Sequence, residues 1–253
     1  MILTFDHGAV RELRLDRPPV NALSPDLIRA LRDAIVQAPK SGARAVILSG
    51  SPGRFSGGLD IPSLLELDRP TMEGVWHDFY GLLGAIAQSP IPIATAITGH
   101  APAGGTVLAI FGDWRVMAEG DYKIGLNEVQ VGIQMPPLIV KALRRLIGAR
   151  EAEHMAVGGE LIPVEKALRI GLIDDVAPPE RVVERALAWC ERLLTLPQEA
   201  MLGTRRDARA DLCSLFDADL DTELEEVTEG WWRPETQNTL RVLASRLGKG
   251  VKS

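Results

Sequence analysis

Ala45-Val46-Ile47-Leu48-Ser49-Gly50, followed shortly by Phe55-Ser56-Gly57-Gly58-Leu59-Asp60-Ile61, is the stretch whose reading decides the fold. A continuous apolar run that stops at Ser-Gly fits a strand buried on both faces, because such a strand has no solvent side to fill with polar residues. The paired glycines then let the chain turn sharply and leave the backbone open to close approach by a ligand. Ile93 to Ile97 and Trp114 to Ala118 have the same strand character, and each leads through a Gly-rich or polar turn into a helical pattern. Alternation of this kind predicts an α/β core, with the chemistry at the strand ends.

Working outward, Ile2 to Phe5, a turn at His7-Gly8, and Val10, Leu13 and Leu15 alternate as a hairpin does. Ser24-Pro25-Asp26 supplies an N-cap, a first-turn proline and an early acid, and Leu27, Ala30, Leu31, Ala34 and Ile35 follow at helical spacing, which predicts a helix of about three turns. After residue 137 the patterns are helical: Leu138 to Leu146, Ala152 to Val157, Pro163 to Arg169 and Glu180 to Leu194. No linker or repeat divides the chain. The expected organisation is a core of residues 1–196 and a helical carboxyl region of 197–253 that serves oligomerisation or closure of a pocket.

The bulk properties exclude several functions. Of 253 residues, 46% are hydrophobic and 25% charged, as in an ordinary folded chain. The net charge of -6, with both signs interleaved, offers no face to nucleic acid. Cys190 and Cys213 lack disulfide or zinc spacing, which fits a reducing cytoplasm. The start of the chain has no secretion-signal pattern, and the most apolar stretch, Ile91 to Ile97, falls far short of a membrane span.

Three segments carry candidate chemistry. In Phe55 to Ile61, backbone N–H groups after the glycines and near a helix start are able to converge on an anionic oxygen; a tight turn without a ligand is the other reading. Gly99-His100-Ala101-Pro102-Ala103-Gly104-Gly105 repeats this geometry between a strand and a small-residue helix, Thr106 to Phe111. Two such turns at neighbouring strand ends meet the requirement for an oxyanion hole, although helix packing alone also accounts for the second. In Ile124-Gly125-Leu126-Asn127-Glu128-Val129 an acid lies among apolar residues, where desolvation raises its pKa toward neutrality; a solvated surface glutamate is the alternative.

These segments, in this order, resemble the crotonase, or enoyl-CoA hydratase/isomerase, superfamily. Arg17-Pro18 with Asn21-Ala22-Leu23-Ser24 is similar to its first CoA-contacting segment, and Phe55 to Ile61 to its first oxyanion element. Ala96 to Gly105 and Ile124 to Ile133 resemble the second oxyanion element and the segment bearing the catalytic glutamate. Ile170-Gly171-Leu172-Ile173-Asp174 with Val176 resembles a further family stretch, so the likeness covers residues 1 to about 200.

The resemblance implies an α/β fold, a spiral core of repeated ββα units with a helical carboxyl region. It implies Glu128 as acid/base, Leu59 and Gly104 as the oxyanion N–H donors, and Ala22, Leu23, Gly57, Gly58, Asp60, Ile61 and Asn127 at the acyl-CoA substrate. It further implies a homotrimer or hexamer and no metal or other cofactor, coenzyme A being part of the substrate. Hydratases of the family carry a second glutamate where this chain has Val107. One acid without the other resembles the 3,2-enoyl-CoA isomerases; a hydratase or another lyase or hydrolase of the fold is the alternative. A non-catalytic acyl-CoA-binding protein is a third reading, against which Glu128 argues.

Other features add little. His7, His77, His100 and His154 form no triad or metal spacing, and His100, in the glycine loop, reads as a packing residue. Trp76, Phe79, Tyr80 and Leu83 lie at helical spacing as core or as an acyl-pocket lining, and Trp231-Trp232 as core packing, a pocket closure or a subunit contact.

Overall fold

A computed structural model describes residues 1–217 and 220–250; of the region 197–253, positions 218, 219 and 251–253 lie outside the described residues. The hairpin forms as expected, β1 (Ile2–His7) pairing antiparallel with β2 (Val10–Leu15). Helix α1 (Pro25–Lys40) follows, capped by Ser24 Oγ, which accepts from Leu27 N at 3.3 Å. At 16 residues it exceeds the expected three turns, carrying Pro39 in its last turn, one residue before the helix ends.

Three successive units then repeat one plan. β3 (Ala45–Ser49) is followed by the short β4 (Gly53–Arg54) and helices α2 (Ile61–Leu64) and α3 (Arg69–Ala87). β5 (Ile93–Ile97) is followed by β6 (Gly99–Pro102) and α4 (Gly104–Ile110). β7 (Trp114–Ala118) is followed by β8 (Lys123–Gly125) and a single 3-10 turn, Glu128–Val131. The first strand of each unit joins one sheet and the second joins another, so the chain spirals through ββα steps.

The remaining elements are α5 (Pro137–Ile147), α6 (Ala149–Gly158), β9 (Leu161–Pro163), α7 (Val164–Arg169), β10 (Asp175–Ala177), α8 (Val182–Leu194), α9 (Gln198–Ala208), α10 (Ala210–Cys213), α11 (Asp221–Trp232) and α12 (Pro234–Gly250). The larger sheet has the order β1-β2-β3-β5-β7-β10, parallel from β2 onward. The smaller has the order β4-β6-β8-β9, with only β9 antiparallel.

The apolar runs are explained by covering on both sides. Val46 and Leu48 of β3 face the main core with α1 and α3, while Ala45 and Ile47 face a second cluster closed by Val182, Ala186 and Cys190 of α8. Side chains of a strand alternate between faces, so a strand between two helical layers is apolar throughout. The smaller sheet has no counterpart in the sequence reading, since strands of two to four residues are too short to display a period. Among the described residues no helix is long and apolar enough to cross a membrane.

Candidate active site

The two glycine turns meet. Gly58 has φ +82°, and a Cβ placed there would lie 3.1 Å from Gly104 N. A Cβ on Gly104 would in turn lie 3.4 Å from Leu59 N and 3.0 Å from Leu23 Cδ1. The N–H groups of Leu59 and Gly104 therefore flank a space that any larger residue would fill. Among the described residues, no acceptor outside regular secondary structure takes a bond from either.

The surrounding backbone is fixed. Ser56 Oγ donates to Asn21 O at 2.8 Å and accepts from Gly58 N at 3.2 Å. Leu23 N donates to Gly58 O at 2.8 Å and Asp60 N to Leu23 O at 3.1 Å, which ties the Ala22-Leu23 segment alongside Leu59. On the other turn Ala103 N donates to Gly125 O at 2.8 Å. Ala103 sits at φ 48°, ψ -121°, a conformation in which an L side chain is strained and that tends to persist at functional positions.

Beyond the donors lies a cavity of about 200 Å³. Gly57, Leu59, Ile61, Gly104, Asn127 and Glu128 of the expected site residues line it, as does Val107. Ala22, Leu23, Gly58 and Asp60 stand behind this surface. The Asp60 carboxylate is engaged elsewhere, accepting from Arg17 Nη2 at 2.6 Å and Ser63 Oγ at 2.6 Å and capping α2. It shapes the loop from behind.

Glu128 heads the 3-10 turn after β8. The residue is partly exposed as a whole, yet its Oε2 is enclosed and has no hydrogen-bond partner, and the same holds for Asn127 Oδ1. Desolvation pushes the Glu128 carboxyl up from its ordinary 4.5 to about 7, against a smaller lowering by its own backbone N–H. Two unpaired acceptors in one mostly apolar cavity are costly unless a ligand brings the partners. Among the described residues Glu128 is the only carboxylate of the lining, and no group of three His, Cys, Asp or Glu is placed to hold a metal.

The far wall was only partly legible. Trp76, Phe79 and Tyr80 of α3 line the cavity, whereas Leu83 is buried away from it. Val131, Ile133, Pro136, Ile139 and Leu243 complete it; the first two fall in the segment that bears Glu128, no motif marks the other three, and only the fold brings Leu243 of α12 back to the site. His100 is exposed, accepts from Lys123 N at 3.2 Å and packs edge-on against Tyr122, as a packing residue does.

Two backbone N–H groups close together beside a mostly apolar cavity, with one partly enclosed acid in its lining, make up the candidate site. Residues 6–227 match the family model described as enoyl-CoA hydratase/isomerase, and the chain belongs to that family. It is 31% identical to human mitochondrial enoyl-CoA delta isomerase 1, over 96% of this chain and 82% of that protein. It is also 34% identical to a probable enoyl-CoA hydratase of Mycobacterium avium, over 76% of this chain and 75% of that one. The crystal structure of human mitochondrial delta3-delta2-enoyl-CoA isomerase superposes with a TM-score of 0.93 at 31% identity, covering 98% of both chains. The spiral of ββα units is thus the crotonase fold.

Proposed function

We propose that this chain is a 3-enoyl-CoA to 2-enoyl-CoA isomerase in which Glu128 is the only acid/base. The observation that carries the reading is the pairing of Glu128 with Val107: the side chain of Val107 is buried, lines the same cavity and has no group able to hold a water. Addition of water across a double bond is served by two carboxylates that position and activate it, and only one is present.

In the proposed reaction the Glu128 carboxylate takes a proton from C2 of the 3-enoyl thioester. The C2–H electrons form C2=C3, the former C3=C4 pair takes the proton at C4, and Glu128 returns to its carboxylate form. The intervening dienolate carries its charge on the thioester oxygen, toward the N–H groups of Leu59 and Gly104. One oxyanion donor contributes about 3 to 4 kcal/mol to such a step, so two donors with one base suffice for a large acceleration.

The Mycobacterium avium relative, described as a probable hydratase, favours a second reading as hydratase. Incubation with 3-enoyl-CoA and 2-enoyl-CoA, with products separated and weighed by mass spectrometry, decides between them. The expected result is conversion of 3-enoyl to 2-enoyl thioester much faster than hydration of the product, with Val107→Glu raising hydration relative to isomerisation per folded protein. Hydration as fast as isomerisation in the native chain replaces this reading with the hydratase one. The trimer or hexamer implied by the family resemblance is part of the proposal, and a monodisperse monomer by light scattering removes it.

A further inference from the structure

The apolar end of the reaction cavity is closed by a specific pair of side chains. Trp76, Ile133 and Pro136 belong both to the 200 Å³ cavity and to a smaller one of about 20 Å³ behind it. The smaller cavity is bounded on its far side by Val227, Gly230 and Trp231 of α11. Trp76 therefore stands as a partition between the space next to Glu128 and helix α11. It is 4% exposed and Trp231 is 2% exposed.

The partition is braced. Trp231 meets Trp76 edge-on, with ring centroids 6.0 Å apart at 76°, and Phe79 contacts Trp76 from its own helix at 6.5 Å. Trp231 is held in turn, its carbonyl accepting from Gln237 Nε2 of α12 at 2.8 Å. The indole of Trp76 thus has no room to withdraw without displacing α11, and packed interiors resist extra methylenes. The space behind it is about that of a single water.

The volume in front sets a length. An apolar cavity of about 150 Å³ takes up benzene, with its six carbons, so about 200 Å³ corresponds to an acyl chain of roughly six to eight carbons. We propose that Trp76, braced by Trp231, is the stop that limits acyl-chain length, and that the substrates are acyl-CoA thioesters of about six to eight acyl carbons. This rests on the reading that the cavity takes the acyl group of a CoA thioester. It does not depend on which reaction Glu128 performs there.

The test measures binding apart from turnover. Saturated acyl-CoAs from butyryl to palmitoyl are titrated calorimetrically into the native chain, Trp76→Ala and Trp76→Phe, and the same variants are assayed on 3-enoyl-CoAs of matching length. In the native chain Kd is expected to weaken by at least about tenfold between octanoyl-CoA and dodecanoyl-CoA, because the added methylenes meet a packed wall. Trp76→Ala is expected to bring the two within about threefold, as the wall gives way to a connected cavity, with Trp76→Phe between. Should Trp76→Ala fail to fold by circular dichroism, Trp76→Phe, which keeps an aromatic against Trp231, decides the matter. Equal binding of octanoyl-CoA and palmitoyl-CoA by the native chain overturns the proposal, as does a cut-off that stays in place in the folded variants. A cut-off that moves with Trp76, without turnover of any 3-enoyl-CoA, sustains this proposal and sinks the isomerase reading.

Discussion

A carboxyl group whose enclosed oxygen has no partner in an apolar cavity is more easily kept protonated, and at Glu128, the proposed acid/base, this should govern both turnover and stability. Its pKa near 7 leaves base and acid forms both available at neutral pH, as a residue that must take a proton and give it back requires. The proposed isomerisation begins with the carboxylate, so kcat/KM should rise with pH and level off above about 7, a profile read directly from initial rates at low substrate. Stability runs the other way. Between 4.5, the ordinary value, and about 7 the folded chain binds more protons at this site than the unfolded chain, so stability falls as pH rises through that window and the full cost is felt above it. Glu128→Gln removes both effects. Turnover should drop by at least about a hundredfold, while stability at pH 8 should exceed that of the native chain by about 1 to 3 kcal/mol, on the scale of 1.36 kcal/mol per unit of pKa displacement. The gain should shrink toward zero below pH 4.5, as seen in urea melts at several pH values. A variant equal to the native chain in rate, or less stable at every pH, contradicts the assignment.

At the scale of elements, the proposed oxyanion site is a product of two loops, and Ala103 shows what holding them costs. Its φ of 48° places it where glycine is at ease, a strain of about 1 to 3 kcal/mol. It precedes Gly104, the proposed donor, and would set the direction of its N–H. Ala103→Gly should raise stability by about 1 kcal/mol at most, since the relief is partly offset by the greater freedom of an unfolded glycine. It should also lower kcat several-fold while KM moves less; unchanged kcat would show that the strain does not aim the donor. The loops were readable in the sequence because their glycines and flanking strands are local features: β5 and β7 form at the expected residues, and α5, α6 and α7 within a few residues of theirs. The smaller sheet was not readable, being made of strands such as Gly53–Arg54 whose only logic is pairing with a distant partner, Gly99 and His100. Asp60 was expected at the substrate, whereas it stands behind the cavity lining, held by a bond to Arg17 that crosses 43 positions and so leaves no local trace in the sequence. Ile139 and Leu243 were invisible as site residues for the same reason: each reads as one apolar position of an amphipathic helix.

Across the whole molecule, the described carboxyl helices hold the core at several points, some remote from the site and some beside it. Arg205 pairs with Asp113 at 2.8 and 2.9 Å, and Arg209 donates to the carbonyls of Phe111 and Gly112 where α4 ends. Glu223 of α11 accepts from the Tyr80 hydroxyl at 2.8 Å and from Leu138 N at 3.0 Å, joining two walls of the cavity. The last link reaches the acid itself. Thr236 of α12 is 3% exposed and its Oγ1 donates to Gly132 O at 2.7 Å. Gly132 caps the turn that begins at Glu128, returning its N–H to the Glu128 carbonyl. The position of the base thus depends on a hydroxyl more than a hundred residues away, and Thr236→Val tests that dependence with little change of shape. Loss of the donor leaves a half-buried carbonyl short of a partner, so the variant should be less stable by about 1 kcal/mol. The turn should loosen, lowering kcat several-fold, whereas KM should stay within about twofold because the loops at Leu59 and Gly104 are untouched. Thr236→Ser, which restores the hydroxyl, should recover most of the rate. If Thr236→Val loses stability but keeps its native kcat, the carboxyl helix holds the fold together without positioning Glu128.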